Sequence, residues 1–247
     1  MKTLICDLDG VVYLGDEEIH GAGAALGRLT AAEWNIVFCT NNSTRTPTES
    51  ADKIRRVTGF GASGEMVATS AQAVATLLDG ESSVLVLGGR GIEEAAVERG
   101  SRIVGRWQDA DTVVVGLDPG LTYERLSSAV LAVRNGARFL ASNHDPTYPT
   151  PEGLRPGAGA LVAAVHTATG VEPVVAGKPH PPMRKLLAAR ARGDVWIVGD
   201  RDDTDLAMGR AEGWKTAHVR TGVEGTPAEK PTVEVADLAA LADHLLR

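Results

Sequence analysis

The sequence predicts an α/β protein built on a mostly parallel sheet covered by helices. Short apolar runs alternate with helix-period segments along the whole chain, which is the pattern of β-α units. The runs also end in clusters of small polar or charged residues, and in doubly wound sheets ligands bind beyond the carboxyl ends of the strands.

Strands are expected at 3–6, 35–39, 84–87, 112–115, 138–141, 172–176, 195–198 and 215–219. Helices are expected at 22–33, 47–58, 69–78, 91–99, 123–135, 158–168, 182–192, 204–212 and 235–246. The first strand, Thr3-Leu4-Ile5-Cys6, stops at Asp7, Asp9 and Gly10. The second, Asn35-Ile36-Val37-Phe38-Cys39, stops at Thr40-Asn41-Asn42-Ser43-Thr44. The helix that follows has the clearest start in the chain: Thr46-Pro47-Thr48-Glu49 offers an N-cap, a proline at the first helical position and a capping-box glutamate. In 123–135, Leu126, Ala129, Val130 and Val133 share a helix face, a spacing that means core packing. The Gly/Pro-rich ends of 143–159 and the loop 176–182 read as turns and hinges.

Composition narrows the function. With 247 residues, 43% hydrophobic and 23% charged, the chain has ample material for a core. A net charge of −7 argues against nucleic-acid binding, which wants a basic face. No bilayer-spanning run and no signal-peptide pattern at Met1-Lys2-Thr3 is seen, so the expected location is the cytoplasm, with no membrane partner. The two cysteines, Cys6 and Cys39, fall inside expected strands and read as buried thiols. There is no CxxC and no HExxH on which to build a zinc site.

Four strand ends carry chemistry. Asp7 and Asp9 lie two apart in an extended segment, on one face, where each raises the cost of ionising the other. After 35–39 comes the hydroxyl and amide loop, after 172–176 comes Gly177-Lys178-Pro179, and after 195–198 comes Gly199-Asp200-Arg201-Asp202-Asp203-Thr204-Asp205. Singly, each has a plainer reading: a turn with a helix cap, a solvated lysine, an acidic helix start. On neighbouring strands they converge. Asp7 and Asp200 then supply hard oxygen ligands suited to Mg²⁺. An aspartate such as Asp7 can attack phosphorus to form an aspartyl-phosphate, and Asp9 is the natural carrier of the proton for the leaving oxygen and then for water. Thr40 and the backbone N–H groups of Asn41, Asn42 and Ser43 can bind phosphoryl oxygens, while Lys178 offsets negative charge.

At these residues the sequence resembles the haloacid dehalogenase superfamily, and most closely its NagD-like, para-nitrophenylphosphatase branch. The four motifs appear in order, joined by the stretch Pro149-Thr150-Pro151-Glu152-Gly153-Leu154-Arg155-Pro156-Gly157-Ala158-Gly159. The resemblance implies a Rossmann-like doubly wound core, residues 1–79 and 176–247, with a smaller α/β cap inserted at 80–175. It implies Asp7 as nucleophile and metal ligand, and Asp9 as acid/base with its carbonyl on the metal. Asp200 would be the third protein ligand, and Asp205 would orient metal-bound waters from behind. Asn143 and Asp145 would face the substrate from the cap, and the protein would pair through that cap. His144 stands where related sequences often carry proline, which bears on substrate choice rather than on reaction type.

The expected activity is a Mg²⁺-dependent hydrolysis of a small phosphorylated metabolite. A phosphotransferase or mutase, a dehalogenase of the same fold and a receiver-like phospho-aspartate switch are the alternatives; the dehalogenase needs neither the second aspartate nor a metal. The few aromatic residues, three Phe, three Tyr and four Trp, favour a small aliphatic phosphate. Gly88-Gly89-Arg90-Gly91 lacks the third glycine of a dinucleotide fingerprint and reads as a tight turn.

Overall fold

The structure is a computed structural model that describes residues 1–150, 152–222 and 227–247. Two parallel sheets organise it. The larger has six strands in the order Val233–Val235, Lys215–Val219, Asp194–Gly199, Lys2–Asp7, Trp34–Thr40 and Val67–Thr69. The smaller has five, in the order Val174–Val175, Arg138–Ala141, Thr112–Val115, Ser83–Leu87 and Arg102–Ile103. The expected α/β class with a doubly wound parallel core is therefore present.

Period-two alternation sorts the strand residues between helical layers. Leu4, Cys6, Ile36 and Phe38 pack on one side of the larger sheet, against Leu26, Leu29 and Ile54 of the helices Ala22–Ala31 and Pro47–Thr58, and against Leu241 of Leu238–Leu245. Ile5, Val37, Cys39 and Ile197 turn to the other side, where Met183 and Leu187 of helix Pro181–Ala188 cover them. Val84, Val86, Val114 and Leu140 of the smaller sheet join this second cluster. The outer face of the smaller sheet packs through Leu85, Leu87, Val113 and Phe139 against Ala129 and Val133 of helix Tyr123–Arg134, with Leu126 and Val130 half-buried beside them. Both cysteines are free and buried, as expected.

The expected start at Thr46 forms in full. Its hydroxyl accepts from Glu49 N at 3.1 Å, and Glu49 Oε2 accepts from Thr46 N at 2.9 Å.

The edge strands Arg102–Ile103 and Val233–Val235 and the short hairpin Tyr13–Leu14 with Glu17–Glu18 were not expected, and three further stretches differ from expectation. The segment 69–78 begins as a buried strand, Val67–Thr69, paired in parallel with Phe38, Cys39 and Thr40; its helix covers Ser70–Ala75, capped by Thr69. The stretch read as turns in 143–159 contains an antiparallel hairpin, Thr147–Thr150 with Gly153–Pro156; Pro151, at its tip, lies outside the described residues. The acidic run opens with a π-helical turn, Asp202–Leu206, before a short α-helix at Ala207–Ala211.

Candidate active site

The strand Lys2–Asp7 sits between Asp194–Gly199 and Trp34–Thr40, with Cys6 opposite Val198 and Asp7 opposite Cys39. This register brings Asp7, Thr40 and Asp200 to one edge. Gly10 adopts φ +86°, and a Cβ there would stand 2.6 Å from Asp200 Oδ2, so the turn that carries Asp9 clears the Asp200 carboxylate only as glycine.

Asp7, Asp200 and Asp205 each offer a carboxylate oxygen, all within 4.8 Å of one another. All three are buried, at 7%, 3% and 1% exposure. Lys178 Nζ donates to Asp7 Oδ1 and to Asp205 Oδ1, both at 2.7 Å. Burial pushes the Asp7 carboxyl well above the usual carboxylate range, Asp205 and Asp200 push it the same way, and Lys178 opposes them. Burial also works against the charge on Lys178, but Asp205 and Asp7 outweigh it and hold the ammonium firmly protonated.

Three carboxyl groups face one ammonium here, an all-oxygen donor set whose full ionisation would leave a negative charge of about two to be offset. A hard divalent cation such as Mg²⁺ fits that deficit and those donors. The Asp9 side chain is outside this cluster. Burial raises its carboxyl above the ordinary range, against the opposing charges of Lys53, Lys178 and Arg45.

Asp7, Asp9, Lys178 and Asp200 share the lining of a cavity of about 330 Å³. Thr40, Asn41, Asn42, Asn143 and Asp145 line it too, so the structure gathers nearly every residue singled out in the sequence. The smaller-sheet half adds Leu117, Pro119 and the hairpin residues Thr147 to Thr150.

Asn41 couples the two halves. Its Oδ1 accepts from Lys178 N at 2.7 Å, and its Nδ2 donates to the Asp145 carboxylate at 3.1 and 3.0 Å. Its carbonyl accepts from Asn143 Nδ2 at 2.7 Å. Asn41→Ala leaves the buried Lys178 amide without that acceptor and Asp145 without that donor. A loss of about 1–3 kcal/mol in unfolding stability is expected, read by denaturant titration.

Ser43 departs from the group. It is fully buried, and its hydroxyl accepts from Ser142 Oγ at 3.0 Å rather than lining the cavity. The Asn42 side chain is engaged locally, its Oδ1 accepting from Thr44 N and Thr44 Oγ1 at 2.9 and 2.7 Å. The His144 ring stacks obliquely on His180, with centroids 5.1 Å apart. Sequence reasoning missed Arg45, Lys53 and Arg201, three cations on the cavity wall. Arg45 sits directly after Thr44, so the loop motif ran one residue further than it was read, and Arg201 lay inside the quoted acidic run without being given a role; Lys53 carries no such local signal.

Comparison with known proteins places this geometry. A haloacid dehalogenase-like hydrolase profile matches residues 4–102, and a second profile, described as HAD-hydrolase-like, matches 175–245. An acid sugar phosphatase from Staphylococcus saprophyticus is 42% identical over 90% of this chain and 87% of its own. A glycerol phosphate phosphatase from Mycobacterium tuberculosis, solved in complex with magnesium, is 39% identical with TM-score 0.88, covering 97% of this chain and 75% of that one. A p-nitrophenyl phosphatase from Archaeoglobus fulgidus is 27% identical with TM-score 0.89, covering 98% of both chains.

Proposed function

The chain belongs to the haloacid dehalogenase-like hydrolase family, and on that premise we propose that it hydrolyses a small phosphomonoester through an aspartyl-phosphate on Asp7. The observation that carries the proposal is the convergence of Asp7, Asp200 and Asp205 within 4.8 Å of one another, with Lys178 bridging two of them, in the wall of a cavity of about 330 Å³.

An Asp7 oxygen attacks phosphorus, the bond to the leaving oxygen breaks, and the Asp9 carboxyl delivers a proton to that oxygen. The raised affinity of Asp9 for a proton suits it to this role. Asp9 then takes a proton from water, which attacks the acyl phosphate and frees inorganic phosphate and the Asp7 carboxylate. Lys178 holds Asp7 in place and carries positive charge beside the phosphoryl group. Thr40 lines the cavity at the neighbouring strand end, where its hydroxyl can reach a phosphoryl oxygen.

Asp7 and Asp200, with the Asp9 carbonyl, would hold Mg²⁺, and Lys178-anchored Asp205 would support it from behind. When bound, the ion offsets the charge of carboxylates and phosphate.

Residues 80–175 act in this reading as a cap that selects the substrate, through Asp145, Asn143 and the hairpin. The named activities of the relatives, on acid sugar and glycerol phosphates, favour a small aliphatic phosphate. We place the protein in the cytoplasm and read the cap as its pairing surface. No helix among the described residues is long and apolar enough to cross a membrane.

A phosphate-release screen over sugar, polyol and nucleoside monophosphates, with Mg²⁺ or with EDTA, tests the proposal. Release from small aliphatic phosphates that falls at least about 10³-fold with EDTA is expected. Release unaffected by EDTA contradicts the metal assignment, and no release from any phosphomonoester contradicts the activity.

A further inference from the structure

We propose that Arg45 and Lys53 form a second anion-binding subsite in the cavity, one that grips a carboxylate or second phosphoryl group on the leaving-group part of the substrate; the assignment rests on the phosphatase reading above.

Four cationic side chains line the cavity: Arg45, Lys53, Lys178 and Arg201. Two are committed within the protein. Lys178 donates to Asp7 and Asp205 at 2.7 Å, and Arg201 donates to Asp203 at 3.2 and 3.0 Å. The other two have open donors.

Lys53 belongs to helix Pro47–Thr58, and its side chain is only 8% exposed. Its ammonium stands 3.8 Å from the centre of the Tyr13 ring and 4.0 Å from Asp16 Oδ1. Among the described residues no acceptor takes any of its three N–H groups. Asp16 is a weak partner, 69% exposed and closer to Arg56, at 3.2 Å. Burying an ammonium without hydrogen-bond acceptors is costly. The ring face recovers part of that cost, and a ligand oxygen in the cavity would recover the rest. Arg45, half-buried on the loop that leads into the same helix, has no ion-pair or hydrogen-bond partner for its guanidinium among the described residues.

Their position fits the leaving group. Lys178 is spent on Asp7 and Asp205, whereas Lys53 stands over the ring of Tyr13, the residue whose backbone forms a β-bridge with Asp9, and Arg45 lines the same cavity. Asp9 hands its proton to the leaving oxygen, so cations grouped around it face the part of the substrate that departs. Arg and Lys offer only donors, and a fork beside a point charge suits a carboxylate or phosphoryl oxygen better than a hydroxyl.

The test compares 2-phosphoglycolate with 2-hydroxyethyl phosphate, which differ by a carboxylate in place of a hydroxymethyl group. Calorimetric titration of the Asp7→Asn protein with Mg²⁺ present reads binding without turnover. The carboxylate ligand is expected to bind about tenfold more tightly, as charge-assisted hydrogen bonds provide. Adding Lys53→Gln or Arg45→Gln should shrink that ratio to about threefold or less. Equal affinities in the parent overturn the subsite. So does an equal weakening of both ligands by the substitutions, which would assign the two cations to the phosphoryl group or to Asp9. Arg45, on a loop, serves as the second variant should Lys53→Gln impair folding. Wild-type protein that releases phosphate from none of the sugar, polyol and nucleoside monophosphates contradicts the phosphatase reading instead, and the titration still decides the subsite.

Discussion

Asp7→Asn is expected to lower phosphate release by at least about 10³-fold while the protein remains folded, because the substitution removes the attacking carboxylate and the negative charge it offers a metal while keeping the side chain's shape. An amide fits the volume of the carboxylate. Lys178 keeps its 2.7 Å bond to Asp205, so no buried ammonium is stranded. The change also relieves repulsion: Asp7 is buried beside Asp205 and Asp200, both of which raise the cost of its ionisation. Without divalent cation, the variant should therefore unfold at a temperature no lower than the wild type. Circular dichroism melting alongside a phosphate assay checks both halves of this prediction. Activity within tenfold of wild type would remove Asp7 from the chemistry, whereas a lost transition would show the site to be structural.

Lys178→Met has the largest expected effect on stability. It leaves Asp7 and Asp205 buried, adjacent and without their shared cation. Removing one partner of a buried ion pair costs about 3–5 kcal/mol, a large share of a domain's stability. The sign of the pH dependence follows from Asp7, whose carboxyl in the fold lies above its ordinary value. A group raised in the folded state favours folding below its unfolded pKa and loses that contribution as the pH rises through the folded value. Without Lys178 the rise is steeper, so the deficit should be smallest below about pH 4 and grow toward neutrality. Chemical denaturation at several pH values, without divalent cation, measures this directly. Activity should fall with stability and should not return at low pH, since the positive charge beside the phosphoryl group is gone.

The strand ends were legible because the physics there is local. An apolar run that stops at Asp7, Thr40 or Asp200 can bury itself only as a strand, and the polar residue beyond it must then emerge at the sheet edge. Lys178 was legible for the same reason, following the run that ends at Ala176. The edge strand Val67–Thr69 was absorbed into the following helix. Three buried residues carry too little period to distinguish strand from helix, and the Thr69–Gln72 capping box that marks the boundary is itself a helix signal. The hairpin Thr147–Pro156 was read as turns because prolines and glycines fill it. Its contribution to the cavity depends on how the two halves face each other. Ser43 shows the limit in the other direction: a hydroxyl in a loop of phosphate-binding composition is spent on Ser142, ninety-nine positions away in sequence. Arg45 and Lys53 went unnoticed because a basic residue on a helix or loop has no pattern of its own. Only the packing of helix Pro47–Thr58 beside Tyr13 turns Lys53 toward the cavity.

The esterification of Asp7 is tested most directly by mass spectrometry of the protein quenched in acid during turnover. Trypsin releases Thr3–Arg28 as one peptide, and fragmentation distinguishes Asp7 from Asp9 and Asp16 within it. A phosphoryl group on Asp7, present during turnover and absent once substrate is exhausted, is the expected result. Unmodified Asp7 in a sample that is turning over substrate, or phosphate carried on another residue, would contradict it.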